Sequence, residues 1–131
     1  METFHKSERL CSRKAIGFLF EEGNTFFTPL YKIVWSEASL PLKFPAQAAF
    51  SVSKKSFRKA TERNLIRRRM REAYRKNKQT LYDHLTSMNF RITFMIIFRE
   101  NNIPDYQIIE KAMIGMIGTL CAAVSEKQSK C

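Results

Sequence analysis

The chain has 131 residues, 44% of them hydrophobic and 27% charged, with a net charge of +11. That length suits one domain with one core, and that composition excludes a disordered chain. Twelve basic and only two acidic residues fall between Lys54 and Lys78, so a net +10 sits in about one fifth of the chain, which a polyanion-binding surface explains better than a general solubility charge.

The N-terminus, METFHKSERL, has no apolar core for a signal peptide. Ser12 is expected to cap a first helix that stops before Gly23, with Ile16, Leu19 and Phe20 on one face and Phe18 elsewhere. Thr25–Thr28 is expected as a short edge strand. Tyr31–Glu37 alternates, with Tyr31, Ile33 and Trp35 on one side and Lys32, Val34 and Ser36 on the other. Two prolines mark Ala38–Pro45 as a loop. In Ala46–Ser53, Ala48, Phe50 and Val52 face one way, and Gln47, Ala49, Ser51 and Ser53 the other. A basic helix is expected from about Thr61, as N-cap, to Leu81. Phe90–Phe98 reads as a central strand, apolar on one face and partly so on the other. Asp105 is expected to cap a last helix that buries Ile108, Ile109, Ala112, Met113, Met116 and Leu120. This order predicts an α+β fold, with one domain over residues 1–124 and a disordered tail, 125–131.

Cys11, Cys121 and Cys131 form no CxxC pair, offer neither a disulfide framework nor a zinc site, and fit a reducing cytoplasmic setting. The longest uncharged run, Ala112–Ser125, falls short of the roughly 20 residues that span a bilayer. His5 and His84 have no histidine partner nearby in the sequence and read as incidental.

On a helical wheel Ile66, Met70, Ala73 and Asn77 lie within about 60° of one another and should pack on the sheet. Asn64, Arg67, Arg68, Arg71, Arg75 and Lys78 share the opposing sector. A solvated charged face is the alternative to a nucleic-acid face. Solvated helices mix signs at one-turn spacing, whereas only Glu62 and Glu72 interrupt the cations here. Arginine also favours bidentate phosphate contacts. No short helix and turn precede this helix, as a helix-turn-helix requires, and no heptads suit a basic zipper. DNA and RNA are not separated by these patterns.

The stretch SVSKKSFRKATERNLIRRRMREAYR, Ser51–Arg75, resembles the signature of the protein subunit of bacterial ribonuclease P. That signature is a strand ending S-V-x-K-K/R, a loop, and a helix opening R-N-R-I-K-R-L-x-R-E. Arg9-Leu10, the FEEG that ends the first helix, the late apolar strand and the final helix come in the family's order, across residues 4–122. The resemblance implies an αβββαβα sandwich with a left-handed βαβ crossover, against the right-handed default. It implies a subunit of the ribonucleoprotein that removes the 5′ leader of precursor tRNA. The RNA subunit is then the catalyst and binds the magnesium. The protein binds that RNA and the leader, aids metal and substrate affinity, and supplies no catalytic residue, metal ligand or cofactor of its own. A cytoplasmic protein is expected, monomeric apart from its RNA and without a membrane.

Carried over residue by residue, the resemblance makes Arg63 and Asn64 the first two members of the Arg-Asn-Arg motif. Arg67, Arg68 and Arg71 continue it, Arg75 on the same helix face is expected to bind RNA with them, and Lys54, Lys55, Arg58 and Lys59 belong to the basic strand end and loop. Phe20, Ser51, Ile16 and Val34 fall at positions of a leader cleft between the first helix and the sheet, although Phe20 also fits as core. Ile16 and Val34 stand where the family favours aromatics. Base stacking is worth roughly 1–3 kcal/mol, so leader binding is expected to lean more on shape and charge. The third motif arginine is replaced by Leu65, and Arg69 stands where the family has an apolar residue. Leu65 and Arg69 lie about 40° apart and one turn removed, so Arg69 is expected to supply the missing RNA-binding charge. Otherwise one contact is simply lost and Arg69 snorkels.

Two other functions compete. One is a basic ribosomal or DNA-binding module without a role in tRNA processing. The other is a self-sufficient nuclease, but the only aspartates are Asp83 and Asp105, and no carboxylate cluster suits paired metal ions.

Overall fold

The computed structural model describes residues 4, 6–10, 13–38 and 43–129. Ser12, His5, Cys11 and Cys131, for which the sequence suggested roles or none, lie outside the described residues. A 3₁₀ turn at Lys6–Glu8 precedes α1 (Arg13–Glu22), β1 (Asn24–Thr28), β2 (Tyr31–Glu37), β3 (Ala46–Val52), α2 (Ala60–Ser87), β4 (Ile92–Phe98) and α3 (Tyr106–Ser129). This is the expected α+β order.

The four strands form one sheet in the order β1-β2-β4-β3. β1 and β2 are antiparallel, as are β2 and β4. β3 and β4 run parallel, joined by α2 as the crossover. The alternation along each strand sorts side chains between two packing layers. One face buries Tyr31, Ile33, Trp35, Ala48, Ile92, Phe94, Ile96 and Phe98 beneath α2 and α3. The other carries a small cluster of Leu10, Leu19, Val34 and Met95 under α1. Both central strands are therefore covered on two sides, which is why β4 reads as ITFMIIF rather than as a half-polar strand. The Tyr31 hydroxyl donates to the carbonyl of Ile109 at 3.0 Å and fixes α3 on β2.

Three strands differ from expectation by one or two residues, β4 beginning at Ile92 rather than Phe90, and three helix boundaries change. α2 starts after Lys59, not Thr61, and no side chain caps it. It runs past Leu81 to Ser87 because Tyr82 and Leu85 extend the buried stripe. It stops only where Asn89 turns to φ 53°. α3 likewise includes Ser125–Ser129 of the expected tail. Val124 is fully buried, His84 contacts Ser125 at 2.7 Å, and Lys127 lies 5.5 Å from the Trp35 ring, so the last turns are held. Tyr106–Lys127 matches a membrane span in length and hydropathy. Its Ile109, Met113, Met116, Ile117, Leu120 and Val124 instead pack in the core, whereas Ile108, expected inside, is exposed.

Candidate nucleic-acid interface

The first three turns of α2 lie beside the outer edge of the sheet. Ile66, Met70 and Ala73 are fully buried, and Asn77 is half-buried with its amide donating to Ala73 O and Glu110. With that stripe fixed inward, the opposite flank faces solvent. There an open groove of ≈ 720 Å³ is lined by Phe50, Thr61, Asn64, Leu65, Arg67, Arg68 and Arg71. Arg67 donates to the Asn64 side-chain oxygen at 2.6 Å. Arg68 and Arg71 are exposed, and neither forms a salt bridge among the described residues. The Arg71 pKa is held below the ordinary arginine value, first by partial burial and then by repulsion from Arg9 and Arg67. Cations crowded this way, with no carboxylate among them, are an anion site in electrostatic terms.

The basic loop brings the remaining charge to the start of this helix. Lys54, Lys55, Arg58 and Lys59 are all exposed. The loop is built, not loose. Phe57 is buried, its N–H donates to Ser53 O at 3.1 Å, and Lys55 N–H donates to the Ser53 hydroxyl at 3.1 Å. Arg63 serves this loop rather than the groove, donating to the carbonyls of Phe57 at 2.7 Å and Arg58 at 2.9 Å. Arg75 is paired with Glu72, whose carboxyl is held below its usual range chiefly by that hydrogen bond.

Two expectations about α2 need correction. Lys78, assigned by the wheel to the cationic face, is buried and pairs with Glu8, which is itself buried and also accepts from the Tyr82 hydroxyl. The wheel fails because a second element, the Lys6–Glu8 turn, covers that sector. Arg69, expected to replace the charge missing at Leu65, is turned away from the groove. Its guanidinium donates to Pro104 O at 2.8 Å, on the side of α3, while Leu65 lines the groove.

Arg9, noted in the sequence only as part of the Arg9-Leu10 pair, and Phe50, read only as a strand residue, join this region through the fold. The Leu10 N–H donates to Ala48 O at 2.9 Å, Gln47 donates to Ser7 O at 3.1 Å, and Arg9 bridges Ala48 in parallel pairing. This lays the N-terminal segment along β3 and puts exposed Arg9 close enough to repel Arg71. Nothing in the sequence relates position 9 to position 71. The contact exists only through β3.

On the other face of the sheet the expected cleft is only partly open. Phe20 is 59% exposed on α1 and Ser51 is half-buried on β3, but Val34 is buried and Ile16 packs against the same small cluster. The cause is the close seating of α1: a Cβ on Gly23 would lie 2.7 Å from a Val34 methyl. Val34 is floor rather than lining. Ser51 shares its row with Ile97 and Lys32 on the neighbouring strands, and these half-buried residues extend the open part.

The comparisons with known proteins agree with this architecture. The Ribonuclease P family model matches residues 4–120. The Ribonuclease P protein component of Porphyromonas gingivalis is 36% identical over 108 residues, covering 82% of this chain and 79% of that protein. The Ribonuclease P protein component of Chlorobium phaeobacteroides is 27% identical over 121 residues, covering 85% and 83%. Among solved structures, the RNase P protein of Staphylococcus aureus superposes with a TM-score of 0.70 at 16% identity, covering 88% of this chain and 96% of that one. That of Thermotoga maritima gives 0.67 at 20% identity, covering 84% and 94%. At such identities the structures speak for the fold.

Proposed function

Since the chain belongs to the ribonuclease P protein family, we propose that it is the RNA-binding subunit of a ribonuclease P ribonucleoprotein that removes the 5′ leader of precursor tRNA. The observation that carries this reading is the groove on α2, where Arg67, Arg68 and Arg71 converge with no carboxylate to neutralise them. In this reading the catalytic RNA supplies the missing anions. Arg68 and Arg71 hold its phosphates, and Lys54, Lys55, Arg58 and Lys59 extend the contact from the loop. Arg63 acts indirectly by holding the loop carbonyls. The opposite face of the sheet, with exposed Phe20 and half-buried Ser51 and Lys32, takes the single-stranded leader.

The polypeptide's own part is binding and positioning. Among the described residues no three histidine, cysteine or carboxylate side chains converge, and in this reading the protein contributes cations rather than metal ligands. Magnesium belongs with the RNA, where it supplies the chemistry of phosphodiester hydrolysis, and the protein helps by neutralising phosphate charge nearby.

The test mixes the protein with bacterial ribonuclease P RNA and precursor tRNA at low magnesium. Leader removal that needs both components is expected. No effect of the protein on that RNA at any ratio overturns the proposal.

A further inference from the structure

We infer that the groove between β3 and the first turns of α2 seats one unstacked base of the RNA partner between Phe50 and Leu65, in addition to binding phosphates. This rests on the RNA-binding reading above and specifies what that surface recognises.

The groove is chemically mixed. Arg67, Arg68 and Arg71 line it, but so do Phe50 and Leu65, both half-buried rather than sealed in the core. A groove for phosphates alone gains nothing from two apolar side chains in its lining, because apolar surface left facing water is unfavourable. A nucleobase has apolar faces and polar edges and suits that mixture. Phe50 is also held in place. Its ring meets Phe4 edge-on at 5.8 Å and Tyr74 at 5.7 Å, so its orientation is set before any ligand arrives. A fixed aromatic ring is a stacking surface with little ordering left to do. Asn64 completes the set: with its oxygen engaged by Arg67, its amide nitrogen serves as donor to a base edge. Arg68 and Arg71 lie on the same groove for the flanking phosphates.

The occupant is therefore a nucleotide from a bulge, loop or junction. A base stacked in an A-form helix presents its edge deep in a groove and cannot enter between two side chains. Leu65 then has a role of its own, neither a lost contact nor half of an exchange with Arg69, whose guanidinium is committed to Pro104.

The experiment measures affinity for bacterial ribonuclease P RNA over a salt series. Leu65→Arg separates the alternatives because it adds a cation. If the groove bound phosphates alone, this variant would bind more tightly and steepen the log–log salt slope by roughly 0.7–0.9. The base seat predicts weaker binding, by about 5-fold or more, the low end of one stacking contact. Leu65→Ala and Phe50→Leu are expected to weaken binding with an unchanged slope. Phe50→Leu keeps an apolar side chain but loses the ring contacts to Phe4 and Tyr74, so its melting temperature is measured alongside and the loss of binding is read at a temperature where the variant is folded. Tighter, steeper binding by Leu65→Arg, or unchanged affinity in the other two variants, overturns the base seat while leaving the RNA-binding reading standing. Failure of the unsubstituted protein to show salt-dependent binding overturns both.

Discussion

The two halves of α2 carry similar charges and use them oppositely. In the first half Arg67, Arg68 and Arg71 crowd one another, and repulsion reaches Arg71 from two sides. In the second half most charges have partners: Arg75 pairs with Glu72, Lys78 with Glu8, Asp83 accepts from Gln79 at 2.8 Å, and Lys76 lies over the Tyr106 ring. Arg71 and Lys78 lie about 20° apart on the wheel, yet one is exposed and the other buried. The difference is not in the helix. It lies in what packs on it, since the Lys6–Glu8 turn brings a carboxylate to Lys78 and brings Arg9 to Arg71. One N-terminal segment thus satisfies one half of the helix and leaves the other half in need of a polyanion.

The sharpest way to break this contrast is at Lys78. Lys78→Ala leaves Glu8 buried without its cation and should destabilise the protein by about 3–5 kcal/mol, as single losses from buried pairs do. Chemical denaturation measures it. Replacing both partners, Glu8→Gln with Lys78→Met, should recover most of that loss. If the single and double variants unfold alike, the pair is not what anchors the segment. A smaller effect, in binding rather than stability, is expected from Arg68→Ala with Arg71→Ala. Affinity for ribonuclease P RNA should fall roughly a hundred-fold at moderate salt, about 1.4 kcal/mol per arginine. The salt slope should become shallower by roughly 1.4–1.8, with the melting temperature almost unchanged. Arg69→Ala should be the mildest. It loses the bond to Pro104, about 0.5–1.5 kcal/mol of stability, and leaves the RNA salt slope as it was. A shallower slope would return Arg69 to the RNA face.

Much of the fold was legible because it rests on periodicity. The alternation of β2, the apolar run of β4 and the inward stripe of Ile66, Met70 and Ala73 each state their own packing. The candidate interface was legible where charge clusters in sequence, as at Lys54–Arg71. What escaped depends on contacts between distant positions. Lys78 looks like any solvated lysine until residue 8 is folded onto it, and Arg9 looks like part of a polar terminus until β3 carries it to Arg71. Arg69 and Val34 show the same limit. The wheel and the strand pattern say which side a residue occupies, but not whether a carbonyl of Pro104 or a closely seated α1 already occupies that side. The helix ends escaped for a different reason: no proline or glycine marks Leu81, and only burial of Tyr82 and Leu85 keeps the helix going.

The pairing of the N-terminal segment with β3 has a consequence for the protein before it meets any partner. β3 is an outer strand, and its sequence, AQAAFSV, carries no charge and no proline. An uncovered strand of that kind is an adhesive edge, open to pairing with the same strand of another copy. The Leu10–Ala48 hydrogen bond and the Gln47–Ser7 contact occupy part of that edge, and Arg9 places a positive charge directly on it. The segment that completes the cationic face thereby also covers part of an edge that would otherwise be open to pairing.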